Sequence, residues 1–297
     1  MTKVAAIQMV SGGDTAANMS RAAALLAQAK NNGAELVVLP EMFSCIGSRS
    51  QAQNAIQYKN QQATIGALAA LAKQQQLWLV AGSIPYMDQS IEDVSGNAAD
   101  NNKAISPKPF ARCIVFNSEG AIEASYDKIH LFDAMVSESD LASPQHQEKQ
   151  YRESDYYAAG ESIVVIPTPF GRLGLAICYD LRFPELFRIM FQREVDFIAL
   201  PSAFTAATGK AHWQTLLQAR AIENHCYIIA ANQGGVHDDG RETFGHSMVV
   251  DPWGEIQAQI EEGEGVVAGQ IDLGYRQAIR ERMPCHAHQK IMLVEKL

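Results

Sequence analysis

Nowhere do the 297 residues run to about 18 consecutive apolar positions, so no membrane-spanning helix is expected. The amino-terminal apolar run is broken by Gln8 and meets turn residues at Ser11, which reads as a strand and loop rather than a secretory leader. Cations are few: 24 Lys and Arg stand against 33 Asp and Glu, a net charge of −9, with no basic cluster. That balance argues against a nucleic-acid or anionic-membrane surface. Cysteines number only five, Cys45, Cys113, Cys178, Cys226 and Cys285, odd in count and scattered. Such usage suits a reducing cytoplasm and argues against a disulfide framework. The chain has no G-x-x-x-x-G-K-[ST] loop and no G-x-G-x-x-G turn opening a helix, so nucleotide-driven chemistry has no support.

What is present is an alternation of short apolar runs and helical periods. Val4 to Met9, Leu36 to Leu39 and Leu77 to Ala81 read as strands. Between them, Ala22, Leu25, Leu26 and Ala29, then Ile65, Leu68, Ala69 and Ala72, recur at helical spacing. Met87 to Pro109 is polar and turn-rich, a surface excursion. Arg112 to Phe116 and Ile122 to Tyr126 read as a hairpin, and Asp133 to Gly160 as a long loop without a sustained period. The strand and helix alternation then repeats: Leu173 to Ile177, a helix opened by Pro184, Phe197 to Leu200, a helix around Trp213, Tyr227 to Ala231, and strands at Gly245 to Val250 and Gly265 to Ile271. Even the wording recurs, VVLPEMF at Val37 to Phe43 resembling IALPSAF at Ile198 to Phe204. The pattern predicts an α/β fold, either a four-layer α-β-β-α sandwich or a single doubly wound sheet, in one domain over 1–297 with 274–297 as a carboxyl-terminal tail.

Three polar residues stand where apolar runs end: Glu41 after LVVLP, Lys128 after the strand at Tyr126, and Cys178 after LGLAI. Each alone has an ordinary reading, the charges as solvated strand ends and the thiol as a small buried hydrophobe. Together they supply a base, a cation and a nucleophile, the minimum for acyl transfer through a covalent intermediate. Cys285-His286-Ala287-His288 invites a metal reading but offers no convincing fourth ligand. His212 precedes a tryptophan expected to pack in the core. A Cys–His pair using His130 or His246 is a further alternative, and it would leave Glu41 distant.

LPEMF with Glu41, YDKIHLFD with Lys128 and CYDLRFPEL with Cys178, in that order, resemble the signature stretches of the nitrilase superfamily of carbon-nitrogen hydrolases. The likeness runs from residue 4 to about 285, and RAIENHCY and GHSMVVDPWG resemble its deaminated glutathione amidase group. It implies the sandwich rather than the single sheet. It also implies a cytoplasmic, cofactor-free and metal-free amidase that takes a small terminal amide, in the first instance deaminated glutathione, to a carboxylic acid and ammonia through a thioester. Alternatives are an ω-amidase acting on α-keto acid monoamides and, from another class, a noncatalytic binding protein on the same fold. Carried onto this chain, Cys178 is the nucleophile, Glu41 the base, Lys128 with the Tyr179 N–H the oxyanion partner, and Glu153 in YRESD a second carboxylate orienting Lys128 or the substrate. Tyr179, Arg182 and Phe204 are the expected substrate contacts. Where relatives commonly have a short acidic, glycine-containing turn after LFD, this chain has AMVSESDLASPQHQEKQ, which leaves that wall of the pocket undefined.

A free thiol and a carboxyl differ by about 4 pKa units, so unassisted proton transfer from Cys178 to Glu41 would be uphill by roughly 6 kcal/mol. A neighbouring ammonium and burial of the carboxyl narrow that gap. The superfamily also implies a homodimer or higher homo-oligomer, and the apolar surplus at Phe187, Ile189, Met190 and Phe191 would suit a subunit contact.

Overall fold

The computed structural model describes residues 1–47, 59–88, 108–137 and 148–294. The first half runs β1 (Thr2–Gln8), α1 (Thr15–Asn31), β2 (Leu36–Val38), α2 (Gln61–Gln75), β3 (Trp78–Val80), β4 (Ile84–Tyr86), β5 (Phe110–Phe116) and β6 (Ile122–Asp127), then a hairpin of β7 (Asp133–Ser137) and β8 (Glu148–Arg152). The second runs β9 (Val165–Thr168), β10 (Gly171–Leu175), α3 (Pro184–Gln192), β11 (Phe197–Ser202), α4 (Ala206–Asn224) and β12 (Tyr227–Asn232). It continues through a hairpin of β13 (Gly234–Val236) and β14 (Glu242–Phe244), then β15 (Ser247–Val250), β16 (Ile256–Ile260), β17 (Gly265–Ile271), α5 (Leu273–Arg282) and the single turn α6 (Cys285–His288).

Local chemistry sets the helix ends. Asp14 caps α1 by accepting from the amides of Ala16 and Ala17, Thr205 caps α4 through Thr208 N–H, and Asp272 caps α5 through Gly274 and Tyr275. Pro184 sits in the first turn of α3, where its missing N–H costs nothing.

Two sheets result, ordered β17-β1-β2-β3-β5-β4 with β6 also on β5, and β16-β15-β12-β11-β10-β9. In the first, β1, β2 and β3 are parallel; in the second, β10, β11 and β12 are. Each parallel trio is bordered on both sides by antiparallel strands, so the halves share one topology and β2 corresponds to β11. Alternate residues of the central strands divide between two cores. Val4, Ala6, Leu36 and Val38 meet the second sheet, whereas Ala5, Ile7, Val37 and Leu39 lie under Leu26 of α1 and Leu68 and Ala72 of α2. Phe187 and Met190 of α3 and Trp213 and Leu217 of α4 cover the far side. Burial on both faces is why these strands read as unbroken apolar runs, and the stacking is an α-β-β-α sandwich.

Some expectations change. The stretch expected as a loop from Asp133 to Gly160 contains the β7–β8 hairpin and a 3-10 turn at Glu153–Asp155, while 138–147 lie outside the described residues. Most of the Met87 to Pro109 excursion lies outside them too. Of the apolar surplus of α3, Phe187, Met190 and Phe191 are fully buried within the chain, whereas Ile189 is half-buried. Helix α5 docks on the body: Arg276 pairs with Asp196 at 2.6 Å and donates to Val195 O at 2.7 Å.

Candidate active site

Glu41 leaves the end of β2. Leu39 and Pro40 carry the chain out, and Gln233 Nε2 donates to the Glu41 carbonyl at 3.0 Å. Gly82, at φ 50°, approaches so closely that a Cβ there would lie 2.1 Å from Pro40 O, which only glycine permits. The Glu41 side chain is thereby turned inward and is 3% exposed.

Lys128 follows β6 directly. Its N–H donates to Ala111 O at 3.0 Å and its carbonyl accepts from Gly160 N at 2.8 Å, so the backbone is fixed on both sides. The ammonium Nζ lies 2.8 Å from Glu41 Oε1 and 2.9 and 3.1 Å from the two oxygens of Glu153. Glu153, in the 3-10 turn after β8, also accepts from Phe132 N–H at 2.7 Å. All three charged side chains are buried. Burial works against the Lys128 charge, yet Glu153 and then Glu41 hold its pKa well above the ordinary lysine value.

Cys178 opens a 3-10 turn, Cys178–Arg182, three residues beyond the end of β10. Its φ is 49°, a left-handed conformation that non-glycine residues adopt at some cost. Asp180, fully buried, braces the turn from within. Its carboxylate accepts from Ile177 N–H at 2.8 Å, Tyr126 OH at 2.7 Å and His130 N–H at 3.0 Å, and His130 Nδ1 lies 2.7 Å from Oδ1. Burial pushes the Cys178 thiol well above its ordinary pKa and the charge of Glu41 pushes it further; Lys128 and the Ala203 N–H pull the other way. The balance is upward, so the resting group at Cys178 is a thiol.

These side chains meet at one cavity of about 410 Å³, a figure that takes in the open solvent at its mouth. Glu41, Lys128 and Cys178 all reach it, as do the expected contacts Tyr179, Arg182 and Phe204. Glu153 stands behind Lys128. Phe132, Tyr151, Thr208 and Arg241 also line the wall and carried no signal in the sequence. Arg182 pairs with no carboxylate among the described residues; its nearest polar contact is His212 Nδ1 at 3.3 Å. Asp180, which braces the turn, carries no local signal in the sequence, since its partners Tyr126 and His130 are distant along the chain.

The histidines are committed elsewhere. His130 stacks on Phe183 at 3.7 Å and faces Asp180, and His246 stacks on Phe244 and contacts its carbonyl. Neither lines the cavity, so a Cys–His pair has no geometric basis. Trp213 is core, with Nε1 donating to His246 O at 2.8 Å. Among the described residues no three His, Cys, Asp or Glu side chains are grouped so as to hold a metal ion. A thiol, a base, an ammonium and a water-accessible cavity are what acyl transfer requires.

Comparison with known proteins agrees with that chemistry. The family model for carbon-nitrogen hydrolases matches residues 3–281. The chain is 37% identical over 288 residues to the nitrilase and fragile histidine triad fusion protein NitFhit of Caenorhabditis elegans, covering 97% of this chain and 60% of that protein's length. It is 38% identical over 293 residues to the deaminated glutathione amidase of Synechocystis, covering 96% of this chain and 97% of that one. The crystal structure of the nematode NitFhit protein superposes with a TM-score of 0.83 at 36% identity, covering 97% of this chain and 65% of that one.

Proposed function

The chain belongs to the carbon-nitrogen hydrolase family and is an amidase, and from that premise we propose that it hydrolyses deaminated glutathione with Cys178, Glu41, Lys128 and Glu153 as its machinery. The observation that carries this reading is one ammonium, Lys128 Nζ, held 2.8 Å from Glu41 and 2.9 Å from Glu153 in the cavity that Cys178 opens onto.

Cys178 Sγ attacks the amide carbon while Glu41 takes the thiol proton. The transfer accompanies attack, because the resting group is a thiol. Lys128 and the Tyr179 N–H, at the start of the 3-10 turn, face the developing oxyanion, where each preorganised donor contributes roughly 3–4 kcal/mol. Glu41 returns the proton to the departing nitrogen, the C–N bond breaks and a thioester remains. Water then gives a proton to Glu41 and attacks the thioester. The C–S bond breaks, the acid leaves and the thiol regains its proton. Glu153 holds the Lys128 ammonium in place and acts on the reaction only through it. No step calls on a metal or organic cofactor. On deaminated glutathione the leaving group is the amine of the cysteinylglycine unit; ammonia, expected above, is the co-product only for a primary amide.

The test is a product assay on deaminated glutathione and on α-ketoglutaramate, run with the intact chain and with Cys178→Ala. The reading expects faster cleavage of the longer amide and at least a 10³-fold loss in the variant. Faster turnover of α-ketoglutaramate would assign an ω-amidase instead, and unchanged turnover in the variant would remove Cys178 from the mechanism. The same reading takes the chain as a single working domain, resident in the cytoplasm and assembled as a homodimer or higher homo-oligomer. All five cysteines are free, which supports the cytoplasmic residence.

A further inference from the structure

Glu41 and the backbone around Cys178 come from different halves of the chain, and one dipeptide grips both. Asn232 closes β12 and Gln233 follows it; both side chains are fully buried. The sheets touch here. Gly234 N–H donates to Met9 O at 2.9 Å just past β1, and a Cβ on Gly234 would lie 2.7 Å from Gln8 Nε2. Gln233 reaches into the first half. Its Oε1 accepts from Ser11 N–H at 3.1 Å, and its Nε2 donates to Ser11 Oγ and to the Glu41 carbonyl at 3.0 Å each. Ser11 Oγ donates in turn to Phe43 O at 2.9 Å, so one amide and one hydroxyl hold both ends of the Glu41–Phe43 segment. Asn232 reaches into the second half. Its Oδ1 accepts from Phe204 N–H at 3.0 Å, and its Nδ2 donates to Gly245 O at 2.6 Å. The preceding peptide, between Ser202 and Ala203, has its carbonyl held by Gln233 N–H at 3.0 Å, and the Ala203 N–H faces the Cys178 sulfur. The repeated wording thus brings two groups to one thiol: Glu41 from VVLPEMF and, one place further along, the Ala203 N–H from IALPSAF.

We propose that Asn232 and Gln233 are positioning residues for the hydrolysis, a two-sided clamp in which Gln233 sets Glu41, and Asn232 sets the Ala203 N–H, against Cys178. Neither lines the cavity, so each acts only through the backbone it holds. The inference rests on the amidase reading and adds to that site the device that fixes its base and gives its sulfur a backbone donor. The orientation of each amide is fixed by its partners, since in both the oxygen faces an N–H and the nitrogen faces a carbonyl.

The test reads the Cys178 thiol apart from turnover, by the pH dependence of iodoacetamide labelling with the partly exposed Cys285 replaced by Ser. Glu41 raises that thiol's pKa, and Lys128 and the Ala203 N–H lower it. Gln233→Met frees the Glu41 backbone and is expected to shift labelling to lower pH. Asn232→Ala withdraws the Ala203 N–H and is expected to shift it to higher pH, each by about half a unit or more. Mere loosening would wet the buried thiol and shift both variants to lower pH. In a Glu41→Gln background the Gln233 shift is expected to vanish and the Asn232 shift to remain. On deaminated glutathione kcat is expected to fall about tenfold in each variant at nearly constant KM. Shifts in one direction, no shift in a folded variant, a Gln233 shift that survives Glu41→Gln, or a rise in KM at unchanged kcat would each overturn the clamp. Where a variant fails to fold, Ser11→Ala replaces it on the Gln233 side and Ser247→Ala on the Asn232 side, where Ser247 Oγ accepts from Asn232 N–H at 2.9 Å. These are expected to give the same signs at smaller size, and no shift in either would also overturn the clamp. Opposed shifts without turnover of any amide would leave the clamp standing and fault the assigned reaction instead.

Discussion

Lys128 Nζ bridges two buried acidic side chains, Glu41 at 2.8 Å and Glu153 at 2.9 Å, beside the Cys178 thiol. Burial raises the Cys178 pKa and Glu41 adds to the rise, which makes the effect of one substitution definite in sign. Glu41→Gln removes a charge that raises the Cys178 pKa and leaves in place Lys128, which lowers it. The variant thiol must be more acidic than the native one, and thiolate is the form that alkylates. With Cys285 replaced by Ser as background, iodoacetamide labelling of Cys178 is expected to shift to lower pH in Glu41→Gln. Amide turnover should fall by about 10²–10⁴, because the base is gone. The remaining cysteines do not confuse the readout: burial pushes Cys226 up to about 12 and raises Cys113 and Cys45 as well. A labelling profile that stays put, or moves to higher pH, would mean that Glu41 does not control the nucleophile.

Among the elements, the 3-10 turn at Cys178–Arg182 matters most, because it turns the chain beyond the end of β10 so that the buried Cys178 borders the cavity. Asp180 holds it by accepting from Ile177, Tyr126 and His130 at once. Asp180→Asn keeps the shape but cannot accept from all of these donors, and an orphaned buried donor costs about 1–3 kcal/mol. The expected outcome is a lower melting temperature together with a fall of about 10² in kcat at nearly constant KM, since a nucleophile displaced by an ångström loses alignment rather than substrate affinity. Native kcat in a folded Asp180→Asn would show that the turn holds itself. These elements differ in how readable they are. Strands β2, β10 and β11 announced themselves because both faces are buried and Pro or Gly punctuates their ends, and the three residues at strand ends followed from that. Strand β8, EKQYR, did not: four of its five residues are exposed, so no apolar alternation marks it. Asp180 was hidden for another reason. Its partners Tyr126 and His130 lie 54 and 50 residues away, and no local pattern encodes a contact of that range.

At the scale of the molecule, the two halves repeat one topology but divide the chemistry. The first sheet supplies Glu41 and Lys128 from the ends of β2 and β6, and the second supplies Cys178 beyond β10. Where β2 leads to Glu41, the matching β11 ends at Ser202, which is fully buried and outside the cavity. The site exists only where the sheets meet. What the sandwich leaves uncovered lies elsewhere, along the edge formed by α4, the β15–β16 turn and α5. Ile222 and Trp253 remain 49% and 52% exposed, and Leu273 and Tyr275 41% each. These residues are neighbours. Gln218 Nε2 donates to Gly254 O at 2.7 Å, a Cβ on Gly254 would lie 2.6 Å from Ile222, and Asp251 and Glu255 come close enough to Tyr275 to add to the rise that burial gives its pKa. Four large, half-exposed apolar side chains along one edge suit a protein contact. The proposed homodimer has this edge as a candidate contact beside α3, where Ile189 is half-buried. Light scattering should therefore return at least twice the mass of one chain, and Trp253→Asp should return the mass of one while the fold, read by its melting transition, persists. A single-chain mass for the native protein would remove the dimer, and an unchanged assembly in Trp253→Asp would move its interface to another face.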